Sequence, residues 1–265
     1  GDKVLLHSPT YVGFTHSLEN NGYRIVHSPL VQDDNGIWRM DFADMEEKIR
    51  TQKIHAAVFC SPHNPCGRVW ERWEIEKAME VYRENDCIVI SDEIHCDFVD
   101  PGKSYVSFGS ISCEFMNNSI TCISTSKTFN LAGIQGSCIV VPNRELFDKV
   151  KEGISVDCVG EINYFSAEAN IAALTNGLTW VKELNEYIYE NKKYVRNFVK
   201  ENGLDVYIAV TIPGQNDFEY IINKNRSLDN KLEYYCKAYD ENCVHCMNNQ
   251  IKILGAGCID FYMGN

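Results

Sequence analysis

A lysine flanked by hydroxyl side chains follows one of the apolar runs of this 265-residue sequence, as Ser124-Thr125-Ser126-Lys127-Thr128. Side chains that can bind or react also follow three other apolar runs. These are Tyr11 after Val4–Leu6, Asn64 after Val58–Cys60, and Asp92 with His95 after Ile88–Ile90. A lysine amine attacks a carbonyl carbon, a carboxylate holds a proton on a ring nitrogen, and an amide donates to an oxygen. Together these groups suit chemistry on an aromatic molecule that carries a carbonyl group.

Phosphate-binding motifs narrow the choice of cofactor. The sequence contains neither the P-loop pattern GxxxxGK[ST] nor the dinucleotide pattern GxGxxG, so a nucleotide cofactor has no phosphate cradle here. Pyridoxal 5'-phosphate (PLP) fits better, because it is aromatic and anionic, forms a Schiff base with a lysine and needs a carboxylate beside its ring nitrogen. The sequence therefore predicts a PLP site with Lys127 and Asp92 at its centre.

Simpler explanations stand beside each of these assignments. Lys127 could be a surface lysine, Asp92 could cap the turn that follows it, and Tyr11 could serve packing alone. Asp92, His95 and Asp97 could also ligate a metal ion, but no second cluster in the sequence completes a ligand shell. No metal site is therefore predicted.

The elements that must position these side chains are short strands that alternate with helices. Six β-rich runs predict strands, at Lys3–Leu6, Arg24–His27, Ala56–Cys60, Cys87–Ser91, Ile120–Ser124 and Ser137–Val141. Helices are predicted from the N-cap residue Asp41 to Arg50, and from Glu71 to Asn85. This alternation is typical of βαβ units, so the predicted fold class is α/β with a mostly parallel sheet. Ligands of such sheets bind beyond the carboxyl ends of the strands, where the four segments lie.

The last third of the chain has a different pattern. Residues 161–202 are almost entirely helical in pattern, with a break at Gly177. Asp205–Val210 predicts a strand in a mixed, polar region. We therefore expect a large domain over residues 1–190 and a smaller α+β domain over residues 191–265.

Composition and charge exclude several other classes of protein. The chain is 45% hydrophobic and 23% charged, with a net charge of −12. These values exclude a disordered chain, and no apolar run reaches the roughly 20 residues that span a bilayer. The negative charge argues against nucleic acid or an anionic membrane as a partner.

Twelve cysteines are present, but their positions do not predict a disulfide framework. Several of them lie in strand-like apolar runs, where cysteine behaves as a small hydrophobic residue. The one CxxC motif, Cys243-Val244-His245-Cys246, lacks the second pair that a structural zinc site needs. No signal peptide is visible, so we expect a cytoplasmic protein with reduced thiols.

Four blocks of sequence carry a specific resemblance to a known family. They are Ser61-Pro62-His63-Asn64-Pro65-Cys66-Gly67, Asp92-Glu93-Ile94-His95-Cys96-Asp97, Ser126-Lys127-Thr128-Phe129-Asn130-Leu131-Ala132-Gly133, and Asn176-Gly177-Leu178-Thr179-Trp180. In the order and spacing of these blocks the chain resembles fold-type I PLP-dependent enzymes of the class I/II aminotransferase superfamily. Within that superfamily it is similar above all to the MalY/PatB-type cystathionine (cysteine-S-conjugate) β-lyases. The resemblance implies the PLP-dependent transferase fold, which is that of aspartate aminotransferase.

The resemblance also implies roles for seven residues. Lys127 corresponds to the Schiff-base lysine, Asp92 to the partner of the ring nitrogen, and Asn64 to the donor to the phenolic oxygen. The other positions are Tyr11 for stacking on the ring, Ser124 and Ser126 for phosphate contact, and His95 at a position where the lyases have histidine and typical aminotransferases have tyrosine. Gln135 replaces the phosphate-binding arginine of typical aminotransferases, as is usual in the lyase group.

The activity implied by the resemblance is α,β-elimination on a small amino-acid thioether, either cystathionine or an L-cysteine S-conjugate. The products would be a thiol, pyruvate and ammonia, and Lys127 would act as the general base at Cα. Two alternatives stay open, namely an aminotransferase of the same fold and a non-catalytic protein of this fold with a binding or regulatory role. The resemblance further implies a homodimer.

Two features depart from the family pattern. The family closes with a motif whose arginine binds the substrate carboxylate in a bidentate fork, but here Asp260 takes the place of that arginine and Tyr262 that of the motif's asparagine. Either the match slips here, or the substrate is not an ordinary α-amino acid, or catalysis has been lost. The first strand also corresponds to the middle of the family's large domain, so we expect a phosphate-binding segment before Gly1.

Overall fold

The computed structural model of this chain describes residues 1–157, 159 and 162–203 with their side chains, and beyond them the backbone of short strands alone. The strands are β1 (Lys3–Ser8), β2 (Arg24–Pro29), β3 (Val31–Gln32), β4 (Trp38–Arg39), β5 (Ala56–Cys60), β6 (Ile88–Asp92), β7 (Ser119–Ile123), β8 (Cys138–Val140), β9 (Val206–Tyr207), β10 (Ile222–Asn223), β11 (Val244–Met247) and β12 (Gln250–Ile253). The helices are α1 (Val12–Asn20), α2 (Phe42–Gln52), α3 (Arg72–Glu84), α4 (Cys113–Asn117), α5 (Arg144–Val156), α6 (Tyr164–Asn176) and α7 (Leu178–Glu201).

The main sheet of the described residues contains strands in the order β2-β1-β5-β6-β7-β8. Every neighbouring pair from β2 to β7 is parallel, and the edge strand β8 pairs with β7 in the antiparallel sense. The predicted α/β fold class with a mostly parallel sheet is thus confirmed. Because parallel strands all end at one edge of a sheet, the carboxyl ends of β1, β5, β6 and β7 lie side by side.

Local sequence signals explain where the two helices next to the core begin. Helix α2 begins after Asp41, whose side chain accepts a hydrogen bond of 3.0 Å from the backbone N–H of Asp44. Helix α3 begins after Glu71, whose backbone N–H donates at 2.9 Å to the Glu74 carboxylate as part of a capping box. Both starts agree with the predicted positions, because each is encoded by residues that are close in sequence.

The main core lies between strands β1 and β5 and helices α2 and α3. Leu5 and Phe59 of the strands are fully buried, and so are Met45 and Met79 of the helices. Complete burial of one such side chain stabilises a fold by about 1.5–3 kcal/mol. The strands that end at the candidate site are therefore packed against a core that excludes solvent.

Helices α5 and α6 differ from this core because they expose large apolar side chains. Val156 at the end of α5 is 75% exposed, and Tyr164, Phe165 and Leu174 of α6 are 74%, 77% and 76% exposed. A helix that is apolar on several faces is usually buried in a protein. This side of the molecule thus has an apolar surface that the described residues leave open to solvent.

By its internal contacts the chain divides into two compact units. One consists of Gly1–Val99 with Lys103–Leu178, and the other of Asp100–Gly102 with Thr179–Asn265. The predicted division near residue 190 into a large and a small domain stays a prediction. Within the part that the structure describes, none of the helices is long and apolar enough to cross a membrane.

Candidate active site

Neighbouring strand ends bring the predicted site residues to one edge of the sheet. In the register of the parallel pairs, Cys60 of β5 lies beside Asp92 of β6, which lies beside Cys122 of β7. Strand β1 lies on the other side of β5. The segments that leave these four strands carry Tyr11, Asn64, Asp92 and Lys127. The structure therefore places at one edge the groups that the sequence predicted to act together.

Asp92 ends β6 and is half-buried. Its Oδ1 accepts a hydrogen bond of 3.0 Å from the backbone N–H of Ile94, so the turn-capping contact suggested by the sequence is present. The contact orients the carboxylate at the end of the strand. Burial raises the pKa of the neighbouring Cys122 thiol to about 11, and the negative charge of Asp92 acts in the same direction. Cys122 is thus protonated at neutral pH and does not compete with a lysine as a nucleophile.

Glu93 is a buried carboxylate that the sequence analysis did not single out. It is 2% exposed, and its Oε1 accepts hydrogen bonds from the hydroxyls of Ser91 (2.9 Å) and Ser107 (3.1 Å) and from the N–H of Phe108 (2.9 Å). Tyr105, in the same segment, donates at 3.0 Å to a backbone carbonyl of the loop after β5. The sequence signal that could have indicated Glu93 is the Asp-Glu pair directly after an apolar strand. A carboxylate buried at such a position needs several hydrogen-bond donors. Glu93 therefore helps to build the loops that carry the site.

Lys127 lies half-buried in a tight loop directly after β7. Backbone hydrogen bonds close this loop on both sides of the lysine, from Phe129 N–H to Thr125 C=O at 3.0 Å and from Leu131 N–H to Ser126 C=O at 2.8 Å. These bonds give the lysine a fixed backbone position at the sheet edge.

The hydroxyls of Ser124 and Ser126 lie 2.9 Å apart in the same loop. Ser124 donates to the carbonyl oxygen of Gly136 at 2.6 Å and accepts the backbone N–H of Ser126 at 3.1 Å. A hydroxyl has one proton to donate, and that of Ser124 is used within the fold. Of the two serines, Ser126 is therefore the one whose hydroxyl can turn towards another acceptor.

The other side of the lysine loop is anchored to helix α6. The Thr125 hydroxyl donates to Asn170 Oδ1, and Ser166, which is fully buried, donates to the carbonyl oxygen of Gln135 at 3.2 Å. A Cβ atom at Gly136 would lie 2.4 Å from Ser166 Oγ, so this close approach requires glycine. The candidate phosphate side of the site is thus held by a polar network with α6.

Phe129 connects the lysine block with the fourth sequence block. A Cβ atom added to Gly177 would lie 2.3 Å from Phe129 Cε1 and 2.4 Å from the carbonyl oxygen of Ala173. Gly177 has an ordinary φ of −80°, so space for the ring, and not backbone conformation, requires glycine there. Two motifs that are far apart in the sequence are therefore in direct contact.

The loop after β5 presents Asn64 from a rigid base. The N–H of Gly67 donates to the His63 carbonyl oxygen at 2.7 Å, and the indole N–H of the buried Trp70 donates to the Cys60 carbonyl oxygen at 2.9 Å. Among the described residues no hydrogen bond engages the side-chain amide of Asn64, which is half-buried. This amide is available to a ligand.

Two buried histidines lie at the same edge, at the end of β1 and in the loop after β5. Burial lowers the pKa of His7 to about 4 and that of His63 to about 3. His7 Nε2 lies 3.0 Å from the Tyr82 hydroxyl. Both imidazoles are thus neutral at physiological pH and offer no positive charge to a phosphate group.

The ring of Tyr11 packs on the first turn of helix α1. A Cβ atom at Gly13 would lie 2.2 Å from Tyr11 Cε1, and the rings of Tyr11 and Phe14 meet edge to face with their centroids 5.5 Å apart. The packing contact considered from the sequence is thus present, and the stacking role of Tyr11 stays a prediction. His95 is half-buried in the loop after β6.

Three further features of the sequence analysis concern a metal site, Gln135 and the C-terminal residues. The described residues contain no group of three or more His, Cys, Asp or Glu side chains that could hold a metal ion. Gln135 is exposed and has a φ of 46°. Asp260, Tyr262 and the side chains of the CxxC motif lie outside the described residues.

Comparison with known families identifies the family of this chain. A sequence model of the family "Aminotransferase class I and II" matches residues 1–245. The chain belongs to this family. The family membership and the PLP-dependent transferase fold predicted from the four sequence blocks are therefore confirmed.

The relatives of this family member include C–S lyases. Cystathionine beta-lyase PatB of Bacillus subtilis is 38% identical over 199 residues, which are 75% of this chain and 51% of PatB. Protein MalY of Escherichia coli is 27% identical over 201 residues, or 74% of this chain and 49% of MalY. The PLP-bound C-S lyase from Staphylococcus hominis is 33% identical, with a TM-score of 0.72 over 78% of this chain and 51% of that structure. The chain spans about half the length of the curated relatives it matches.

Proposed function

We propose that this member of the class I and II aminotransferase family acts in PLP-dependent C–S β-lysis. The substrate would be a small amino-acid thioether, cystathionine or an L-cysteine S-conjugate, and the products a thiol, pyruvate and ammonia. The observation that carries the proposal is the sheet edge at which Asn64, Asp92 and Lys127 leave neighbouring parallel strands. The likeness to PatB supports the choice of reaction.

The groups at the sheet edge fit three of the four polar parts of PLP. An amine suits its aldehyde, a carboxylate suits its ring nitrogen, and the unengaged amide of Asn64 suits its phenolic oxygen. The phosphate side is less well supplied, because the Ser124 proton is donated to Gly136 and Gln135 is uncharged. The hydroxyl of Ser126 is the donor that fits there.

Each residue of the proposed site has a defined task. Lys127 Nζ would hold the cofactor covalently, and its amine would be the base that removes the proton from Cα of the substrate. Asp92 holds a proton at the ring nitrogen, and Asn64 donates to the phenolic oxygen. Bound PLP withdraws electrons from Cα and so makes the α-proton acidic. Tyr11, His95, Ser124 and Ser126 complete the proposed binding set.

Two other functions are supported by specific observations. Aspartate aminotransferase of Pyrococcus abyssi is 27% identical over 208 residues, which favours transamination, a reaction that differs in where the proton is returned. Asp260, in the place of a carboxylate-binding arginine, favours a non-catalytic protein. Release of pyruvate and thiol from cystathionine without an added 2-oxo acid is expected of the lyase alone.

We further propose a cytoplasmic homodimer with a PLP-binding domain at residues 1–190 and a small domain at residues 191–265. The exposed apolar side chains of α6 support an interface on that side, since a patch of this kind is typical of contact with another protein surface. The net charge of −12 agrees with a partner that is neither nucleic acid nor an anionic membrane.

Cofactor binding at Lys127 is the direct test of the proposed site. We expect that PLP added to the chain gives the absorbance band of a lysine-bound cofactor, and that borohydride followed by peptide mass analysis locates the cofactor on Lys127. In Lys127→Ala the band should be lost completely. The matched control is Lys151→Ala, because Lys151 is an exposed lysine of α5 and should leave the band unchanged. A folded wild-type chain without this band rejects the proposal.

A further inference from the structure

The loop that begins at Asp92 is joined at two points to strand β7 and to the lysine loop that follows this strand. At the base of the loops, the N–H of Glu93 donates to the carbonyl oxygen of Cys122 at 2.9 Å. At the far end, the hydroxyl of Thr128 donates to Asp97 Oδ2 at 2.7 Å. Thr128 follows Lys127 directly, and Asp97 lies on the loop that begins at Asp92. The second tie therefore lies next to the lysine.

We propose that Thr128 and Asp97 form a positioning pair for Lys127. Their hydrogen bond fixes the backbone of the lysine loop against the loop of Asp92, and so sets where Lys127 stands relative to that carboxylate. This inference rests on the proposed function, in which Lys127 and Asp92 act on the same cofactor.

The environment of Thr128 suits this task. Its side chain is 2% exposed, and a β-branched residue has few rotamers, so the hydroxyl has a fixed direction. A threonine hydroxyl commonly bonds to the backbone of its own turn. Here it reaches a carboxylate on another loop, and a hydrogen bond to an ionised group is stronger than one between neutral groups. Consecutive Cα atoms are about 3.8 Å apart, so a fixed Thr128 also restricts Lys127.

Because Asp97 is exposed, the effect of its hydrogen bond on the position of Lys127 can be measured apart from its effect on the stability of the fold. Asp97 is exposed, so water can replace the threonine hydroxyl as its donor when that hydroxyl is removed. Valine has nearly the shape of threonine, so it fills the buried position without the hydroxyl. Loss of the bond should therefore change the placement of Lys127 much more than it changes the stability of the fold.

The experiment compares Thr128→Val, Thr128→Ser and Asp97→Ala with the wild-type chain. The first readout is the rate at which PLP becomes attached to Lys127, trapped with borohydride and located by peptide mass. We expect Thr128→Val and Asp97→Ala to lower this rate, and kcat for release of pyruvate from cystathionine, by about 10- to 100-fold with a smaller change in KM. Thr128→Ser keeps the donor and should stay within about 3-fold of wild type. The double variant should be no slower than either single one, because both remove the same bond.

Two control variants make the same substitutions, threonine to valine and aspartate to alanine, at positions away from the candidate site. Thr51→Val removes a hydroxyl that donates to Glu47 C=O at 2.6 Å on helix α2, and Asp148→Ala removes an exposed carboxylate paired with Arg144 on α5. Both should attach PLP at the wild-type rate. The thermal midpoints of all variants without PLP serve as the second readout, and they should agree within a few degrees.

Each outcome decides between the two ideas. If the wild-type chain attaches PLP at Lys127 and Thr128→Val and Asp97→Ala do so equally fast, the positioning pair is rejected and the proposed function stands. If the wild-type chain attaches none, the proposed function is rejected and the pair with it. If Thr128→Val does not fold, Asp97→Ala decides alone, because its substitution lies at an exposed position. A loss that Thr128→Ser fails to restore also counts against the pair.

Discussion

The two sides of the first compact unit bury their apolar residues to very different degrees. Around β1, β5, α2 and α3, a set of apolar side chains that includes Leu5 and Met79 is closed off from solvent, and Phe59 is 0% exposed. On the side of β8, α5 and α6, Phe165 is 77% exposed and Ile139 of β8 is 39% exposed. The first side has its own core, whereas the second presents apolar surface without a cover among the described residues.

The difference bears directly on the candidate site. Asn64 and Asp92 follow strands on the side with the buried core. Lys127 follows β7, which lies next to β8, and its loop is hydrogen-bonded to α6. One part of the candidate site therefore rests on elements with a buried core. The other part rests on elements whose apolar side chains the described residues leave open to solvent.

A matched pair of phenylalanine truncations gives the largest expected contrast. Phe59→Ala should lower the free energy of unfolding by about 3–5 kcal/mol, because it leaves a cavity in a packed core. Phe165→Ala should change it by less than about 0.5 kcal/mol, since the ring is exposed. Urea unfolding followed by tryptophan fluorescence measures both. A large loss for Phe165→Ala that grows with protein concentration would show instead that α6 is covered by a second copy.

Substitution of two glycines tests the same comparison through smaller changes in the free energy of unfolding. Gly177→Ala should destabilise the fold by roughly 1–3 kcal/mol, because the new methyl group would meet the Phe129 ring and the Ala173 carbonyl oxygen. Gly153→Ala in helix α5 has nothing within 4 Å of the new atom and should stabilise the chain by roughly 0.5–1 kcal/mol. Thermal unfolding without cofactor distinguishes the signs. Equal effects at both positions would contradict the close contact of Phe129 with Gly177.

The buried histidines give the smallest expected effect, which is a dependence of the free energy of unfolding on pH. The pKa of His63 is lowered from 6.5 to about 3 by burial, so below pH 6.5 the unfolded chain binds a proton that the folded chain refuses. Stability is therefore complete above pH 6.5 and falls as the pH falls towards 3. At pH 5.5 the loss is 6.5 − 5.5 = 1 pKa unit, or about 1.4 kcal/mol for this residue.

Substitution by a neutral side chain isolates this contribution. His63→Asn should flatten the fall of the urea midpoint between pH 7 and pH 5.5, whereas His16→Asn, at an exposed position of α1, should leave the slope as in the wild type. An unchanged slope in His63→Asn would mean that the imidazole is hydrated, and that the first side of the unit is less closed than its burial indicates.

Sequence reasoning located the elements whose signals are local. The strand Ala56–Cys60 has the predicted bounds because it is one continuous apolar run, and α3 begins after Glu71 because its capping box lies within four residues. Helices α1 and α5 were not predicted. Tyr11, before α1, makes no side-chain cap, so the start of that helix has no local polar signal.

At the candidate site, too, only the features with a local signal in the sequence could be predicted. The meeting of Asn64, Asp92 and Lys127 at one edge could be anticipated, because the carboxyl ends of parallel strands lie at the same edge of a sheet. The bonds of Glu93 and of the Thr128–Asp97 pair could not, since each joins residues whose separation in space depends on the finished register. The stacking role of Tyr11 was predicted from resemblance and stays a prediction, and the contact of its ring with Phe14 had no separate signal in the sequence.

The contact of Phe129 with Gly177 has a consequence for protein engineering. A chimera that imports the lysine loop from a relative without its α6–α7 junction would combine a ring and a backbone that were not selected together. Grafts between members of this family should therefore move both segments together, because one segment follows a strand and the other joins two helices, yet they are in contact.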